Sequence, residues 1–105
     1  MHMNASVNPN ASGVEVIYEN TVPGRERLAA AVSRAVARVL ELPDRGAKSD
    51  AETDRKHVAI VEDTLPPALL IELGFVTNQC DVERVKERGF EALIAAIETI
   101  AKEHK

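Results

Sequence analysis

The chain has 105 residues, 45% of them hydrophobic, and a formal net charge of −4 at pH 7. This composition suits one small globular domain and argues against a nucleic-acid surface, which would carry a clustered basic excess. We also expect no membrane partner, because no apolar run approaches the length of a membrane span. The single cysteine, Cys80, excludes an internal disulfide and a cysteine-based zinc site. We expect Cys80 to be a partly buried small residue near a turn, with a reactive thiol as the alternative.

The first 42 residues predict a loop, a strand and a helix. Residues 1–13 are rich in Asn, Ser, Pro and Gly and predict loop and turn structure. Val14–Tyr18 carries β-branched residues and predicts a short strand. From about Arg25 to Leu42, apolar and charged residues alternate at helical spacing, which predicts an amphipathic helix packed on a sheet. Its apolar residues are Leu28, Val32, Ala35, Val36 and Val39.

The middle of the chain is less regular. Pro43 ends the helix, and Asp44–Lys56 is polar and without periodicity, which predicts a long loop. Such a loop is either a solvated connector or part of a functional groove. His57–Val61 predicts a second strand, in which we interpret His57 as structural.

The segment from Pro67 to Asn78 carries the most informative side chain. Its Ala, Leu and Ile residues, bounded by prolines before and Gly74 after, predict a buried strand. Glu72 interrupts this run. Because burying an unpaired ionised carboxylate is costly, we expect Glu72 to be paired, protonated or placed at the sheet's edge to do chemistry. We place it at the end of the strand, where α/β folds hold their active sites.

The last quarter predicts a helical end to the chain. Asp81 suits the N-cap of a helix entering at Val82, and Gly89 divides a short first helix from a longer second one. The predicted apolar face of this helix comprises Phe90, Leu93, Ile94, Ile97 and Ile100. We find no internal repeat or linker, so residues 1–105 form one predicted domain.

Several motifs lie in the order found in one enzyme family. The run from Pro67 to Asp81 follows the pattern Pro-Ala-x-Leu-x-Glu-x-Gly-Phe-x-x-Asn and then Asp. It resembles the last strand of the zinc-dependent N-acetylmuramoyl-L-alanine amidases, which hydrolyse peptidoglycan. His2–Ser6 is similar to that family's Ser-Ile-His-x-Asn-Ala block, Gly13–Tyr18 to its Gly-x-Glu-x-x-Tyr block, and Arg45–Lys48 to its Arg-Gly-Val-Lys loop. The resemblance implies an α/β fold, a mostly parallel twisted sheet with helices on its faces, here lacking the N-terminal strands.

The resemblance also implies roles for single residues. The family binds one zinc ion through a His, a Glu and a second His, and the first two belong to an N-terminal half that has no counterpart here. His2 matches the last ligand, and Glu72 matches the general acid/base. A catalytic zinc normally has three protein ligands, so the remaining ligands must come from an absent segment or a companion chain. Asn4, Arg45 and Lys48 would contact substrate, and Glu15 is expected on the sheet's edge without a chemical role.

Two hypotheses of function follow. In the first, the protein is a cell-wall hydrolase, a bacterial autolysin or a phage endolysin, that cleaves the amide between N-acetylmuramic acid and L-alanine of peptidoglycan. It would act in the cell wall, the extracellular space or the periplasm. In the second, the chain is a truncated, non-catalytic module that binds wall fragments or a partner, and a homodimer would cover its exposed sheet edge. Zinc content distinguishes the two.

Overall fold

The computed structural model describes residues 1–19, 21, 23–50 and 69–103. Strands and helices alternate along these segments. In chain order they are β1 (His2–Asn4), β2 (Val14–Tyr18), α1 (Arg25–Leu40), β3 (Asp44–Ser49), β4 (Leu69–Phe75) and α2 (Gln79–Glu103). No helix in the described part is long and apolar enough to cross a bilayer.

The four strands form one sheet in the order β1-β4-β2-β3. The outer pairs, β1 with β4 and β2 with β3, are parallel, whereas the central pair of β2 and β4 is antiparallel. The predicted α/β class with a mostly parallel sheet is therefore confirmed.

The core lies between one face of the sheet and the two helices. Because side chains alternate along a strand, Val14 and Val16 of β2 and Ile71 of β4 point toward the helices, where they pack in one cluster. The helices complete this cluster with Leu28, Ala29, Val32, Val36, Ala37, Leu40, Ala92 and Ala96. The opposite face of the sheet carries Ile17 and Leu70, and by the same alternation Glu15 and Glu72.

Two segments predicted as loops contain the edge strands. Residues 2–4 form β1, and residues 44–49 form β3, which pairs with β2 from Asp44 to Ser49. The loop predictions were wrong there because these strands lack alternating apolar residues and are held by backbone pairing. Residues 51–56 and the predicted strand His57–Val61 lie outside the described residues.

The helix boundaries differ slightly from prediction. Helix α1 ends at Leu40 rather than Leu42, because Glu41 adopts a left-handed conformation with φ 57°. Helix α2 begins at Gln79, and the side-chain oxygen of Asn78 accepts the backbone N–H of Asp81 at 3.1 Å. Asn78 is therefore the N-cap, and the prediction for Asp81 was wrong. The division near Gly89 is confirmed, since Arg88 has non-helical angles of φ −130° and ψ 15°.

Most of the apolar face predicted for α2 is exposed. Ala92 and Ala96 are buried against the core, whereas Phe90, Leu93, Ile94 and Ile97 are exposed. Ile100, the fifth residue of the predicted apolar face, is partly buried against the core. The small residues Ala92 and Ala96 allow a close approach to the sheet and α1, which the larger side chains would prevent. Cys80 is exposed as well, contrary to expectation.

Candidate active site

His2 and Glu72 lie side by side on neighbouring parallel strands. They are register partners of β1 and β4, so both side chains lie on the sheet face opposite the helices. The His2 Nδ1 atom is 3.2 Å from Glu72 Oε1, and the side chains are 56% and 1% exposed. Glu72 is inside the seven-residue strand β4 rather than at its end. That part of the prediction was wrong because β4 continues through Gly74 to Phe75, which pairs with Asn4.

A second carboxylate lies directly opposite the first. Glu15 of β2 is the antiparallel register partner of Glu72, and it is 8% exposed. His2, Glu72 and Glu15 thus form a row across three adjacent strands. The expectation that Glu15 occupies the sheet's edge was wrong, because β2 runs between β4 and β3.

Two polar side chains converge on Glu15. Arg45 Nε donates to Glu15 Oε1 at 3.0 Å, and Asn4 Nδ2 donates to Glu15 Oε2 at 3.3 Å. The Arg45 guanidinium also lies over the Phe75 ring, 5.0 Å from its centroid, a distance at which a cation is attracted to an aromatic face. Asn4 and Arg45 therefore both bond Glu15, which lies directly opposite Glu72.

Lys48 is on the same sheet face but reaches a different partner. It is the register partner of Ile17 in β2, and its Nζ donates to the backbone carbonyl of Arg45 at 2.7 Å. It supports the backbone that carries Arg45.

Sequence reasoning gave no role to Glu15 or to Phe75. The Gly-x-Glu block was the available signal for Glu15, but its partners become visible only once strand order and register are known.

Asp81 fixes the chain segment that follows β1. It is fully buried, and its Oδ2 accepts the backbone N–H groups of Gly13 and Phe75 at 3.0 and 2.9 Å. Its Oδ1 accepts the Ser12 hydroxyl at 2.6 Å. Asp81 therefore joins the start of β2, the end of β4 and the start of α2.

Asn78 adds a second set of bonds at this corner. Its Nδ2 donates to the carbonyls of Pro9 and Ala11 at 3.2 and 3.3 Å. Asn78 and Asp81 thus shape the turn that follows β4. Both residues hold the loop that leads from β1 to β2, and so they support the strands that carry His2 and Glu15.

Comparison with known proteins assigns the family. A sequence model described as N-acetylmuramoyl-L-alanine amidase matches residues 1–102. The chain belongs to this amidase family.

The chain is similar to two solved structures. The catalytic domain of the CD27L endolysin targeting Clostridia difficile is 29% identical with a TM-score of 0.76, over 96% of this chain and 51% of that one. The N-acetylmuramoyl-L-alanine amidase from Clostridium difficile 630 is 25% identical with a TM-score of 0.71, over 95% and 53%.

Among curated proteins, the uncharacterized protein YqiI of Bacillus subtilis (strain 168) is 27% identical over 106 residues, which is 94% of this chain and 48% of YqiI. The chain thus spans about half the length of the relatives it matches.

The family is generally zinc-dependent, so we asked whether these residues fit a metal. His2 has the arrangement common for a metal-bound histidine, with one ring nitrogen facing a carboxylate and the other left for the ion. Within the described part of the chain, however, no group of three His, Cys, Asp or Glu side chains is close enough to hold a metal ion. The described residues supply one plausible ligand and do not form a complete zinc site.

Proposed function

We propose that the protein hydrolyses the amide bond between the lactyl group of N-acetylmuramic acid and L-alanine in peptidoglycan, with Glu72 as general acid/base. Membership of the amidase family supports the reaction class. The observation that carries the assignment to Glu72 is its placement, buried within β4 and in contact with His2, on the sheet face that also holds Asn4 and Arg45.

Glu72 would move one proton through the reaction. It accepts a proton from the attacking water as the water oxygen bonds to the amide carbon. It then gives that proton to the departing nitrogen, so the C–N bond breaks to leave a carboxylic acid, which ionises in water, and the free amine of L-alanine. Burial holds the carboxylate in one position, and the contact with His2 orients it.

His2 is the metal ligand of the proposal, with the other ligands outside the described residues. A zinc ion bound there would polarise the amide carbonyl and lower the pKa of bound water to about 7. Arg45 is the substrate-binding residue that the structure supports best, because Glu15 and Phe75 fix the plane of its guanidinium. Planar donors suit carbonyl and carboxylate groups. Asn4 and Lys48 have smaller proposed roles in contacting substrate.

The test uses a whole amidase domain, made by joining this chain to the half of the CD27L catalytic domain that it does not match. Purified cell wall is the substrate, and release of stem peptides with a free L-alanine amine is measured. We expect Glu72→Gln to lower the rate by about 10²- to 10⁴-fold, whereas the exposed Glu83→Gln retains it. Bound zinc, measured by mass spectrometry, should fall in His2→Ala. A Glu72→Gln enzyme as active as its parent would refute the role of Glu72.

The second candidate is a non-catalytic module that binds wall fragments. The incomplete metal-ligand set of the described residues favours it. It predicts binding to purified cell wall with neither zinc nor release of stem peptide, even in the joined domain.

A further inference from the structure

We propose that Glu15 is a positioning residue that holds the Arg45 guanidinium in place to bind a carboxylate of the substrate. The ligand is a stem peptide whose residue after L-alanine carries a free carboxylate instead of a carboxamide. Gly13 and Phe75 complete the surroundings of the Arg45 side chain. The choice of ligand rests on the proposed function, whereas the carboxylate-binding group follows from the geometry of the described residues.

The strand that carries Arg45 is irregular at this residue. Two successive residues of β2 pair with Asp44 and Gly46, so Arg45 between them is the extra residue of a bulge in β3. Gly46 follows it with a φ of 82°, a left-handed value that suits glycine. Bulges re-aim a side chain and are frequent beside active sites. From this bulge the Arg45 side chain reaches Glu15 of β2.

Three neighbours fix the inner part of the Arg45 side chain. Its Nε donates to Glu15 Oε1 at 3.0 Å, and its guanidinium lies 5.0 Å from the centroid of the Phe75 ring. Its stem lies against Gly13, where an added Cβ would be 2.9 Å from Arg45 Cγ. An arginine that is already ordered loses less conformational entropy when it binds a ligand. Glu15 therefore prepares Arg45 for binding.

The outer end of the Arg45 side chain is open. A guanidinium has several N–H donors in a rigid plane, and among the described residues only the donor on Nε has a partner. The Arg45 side chain is 42% exposed, whereas that of Glu15 is 10% exposed. One end of the guanidinium is therefore anchored at a buried carboxylate. Within the described part of the chain, the N–H groups of the two terminal nitrogens are available for a ligand.

A carboxylate is the group that fits this open end. Its two oxygens accept a pair of parallel N–H groups from one guanidinium, in a charge-assisted bidentate contact. A carboxamide offers one oxygen, and its NH2 group would direct N–H toward N–H. A site with a fixed pair of donors rejects such an analogue because one donor is left unpaired. Lys48, whose Nζ bonds the Arg45 carbonyl at 2.7 Å, adds a second positive charge to this region.

The distance from Glu72 selects the residue after L-alanine as the ligand. The Arg45 side chain comes from β3 and reaches Glu15 of β2, which lies directly opposite Glu72 of β4. Neighbouring strands lie about 4.8 Å apart, so the guanidinium is about one to two strand spacings, about 5–10 Å, from Glu72. One residue of extended peptide spans about 3.5 Å, so the carboxylate that follows L-alanine is about 7 Å from the amide that is cut. This carboxylate comes within reach of Arg45 when the amide lies at Glu72.

Peptide binding tests the proposal independently of hydrolysis. The joined amidase domain carries Glu72→Gln, so that its ligands are not cleaved. Isothermal titration calorimetry compares N-acetylmuramoyl-L-alanyl-D-glutamate with N-acetylmuramoyl-L-alanyl-D-isoglutamine, which has a carboxamide in place of one carboxylate. We expect the carboxylate ligand to bind about tenfold more tightly or better. Arg45→Gln should reduce this preference to within about twofold, because an amide cannot make the bidentate charge-assisted contact. Arg34→Gln, at an exposed site of α1, should retain it.

Two substitutions of Glu15 separate its position from its charge. Glu15→Asp keeps the charge but withdraws the oxygens by one methylene, so we expect the preference for the carboxylate ligand to fall by about threefold or more. Glu15→Gln keeps an oxygen within reach of Arg45 Nε, so it should retain the preference. Phe75→Leu removes the aromatic face and should lower the preference as Glu15→Asp does. It takes the place of Glu15→Asp if circular dichroism shows that Glu15→Asp does not fold.

Each contrary outcome overturns a stated part of the proposal. Equal affinity for the two ligands, or binding of neither, would refute the carboxylate site. An undiminished preference in Arg45→Gln would assign the preference to another residue. Loss of the preference in Glu15→Gln with its retention in Glu15→Asp would show that Glu15 contributes charge and not position. A joined domain that hydrolyses cell wall without this preference would count against this inference alone. A preference in a domain that releases no stem peptide would count against the proposed chemistry alone.

Discussion

Glu15 and Glu72 face each other across the antiparallel strands β2 and β4, and both are nearly inaccessible to solvent. Like charges directly opposite each other in a sheet are destabilising. Each carboxylate contacts a different potential cation, Arg45 for Glu15 and His2 for Glu72. The arrangement gathers two acids and two bases on one sheet face, and its energetics can be measured.

A double-mutant cycle should reveal the repulsion between the two carboxylates. Either Glu15→Gln or Glu72→Gln alone removes the repulsion between the two carboxylates. The second substitution therefore brings no further gain in stability from this source. We expect the double variant to be less stable than the sum of the single effects predicts, by about 0.5–1 kcal/mol. Urea denaturation measures the free energy of unfolding. As a control, Glu83→Gln combined with Glu72→Gln should be additive within about 0.5 kcal/mol, and the same additivity for the Glu15 pair would mean no repulsion.

Arg45→Lys should weaken substrate binding in a whole amidase domain. Lysine keeps the charge but cannot reproduce the planar donor group that Arg45 places between Glu15 and Phe75. We expect KM for soluble wall fragments to rise about tenfold, the equivalent of one lost charge-assisted hydrogen bond, while kcat changes less. Steady-state kinetics provide the check. Arg34→Lys, at an exposed site of α1, should match the parent, and an unchanged KM in Arg45→Lys would remove Arg45 from the binding site.

Asp81→Ala should be among the most destabilising substitutions in the chain. It leaves the buried N–H groups of Gly13 and Phe75 without their acceptor, so we expect a loss of about 3 kcal/mol or more. Asp81→Asn keeps one oxygen for these donors and can still bond the Ser12 hydroxyl, so it should cost about 1 kcal/mol. Chemical denaturation compares them. Equal losses would show that the negative charge and its second acceptor oxygen, which both variants lack, are what matter at this position.

Gly74→Ala should destabilise the fold more than Gly24→Ala. Both glycines have positive φ, 102° and 83°, but an added Cβ at Gly74 would be 2.9 Å from Asp81 Oδ2, whereas nothing lies within 4 Å at Gly24. We expect about 1 kcal/mol of backbone strain at Gly24 and about 2–3 kcal/mol at Gly74. Thermal melting of the two variants gives the comparison. A smaller loss at Gly74 would mean that Asp81 moves aside at little cost.

The sequence predicted the elements that face the core and missed those at the edges. β2, α1 and β4 have apolar patterns of the correct period, because their side chains are buried. β1 and β3 have no such pattern, since backbone pairing holds them at the sheet's edges. The apolar stripe of α2 was identified by its spacing, but periodicity alone could not tell that Ala92 and Ala96 pack on the core instead.

The candidate site was predictable only in part for a related reason. Motif resemblance selected His2 and Glu72, which the structure places in contact. Their roles stay a prediction. The placement of Glu15 opposite Glu72, and of Arg45 over Phe75, depends on strand order and register. These are set by long-range pairing that no local pattern encodes.

The short length of β1 makes the contact between His2 and Glu72 easier to break than the rest of the fold. Three residues hold His2 against β4, while Glu72 belongs to the seven-residue strand β4. Separation of this three-residue strand from β4 would carry the imidazole away from the carboxylate and leave the helices packed on the sheet. The protein would then remain folded by every bulk measure, so mild heating should separate His2 from Glu72 below the melting transition.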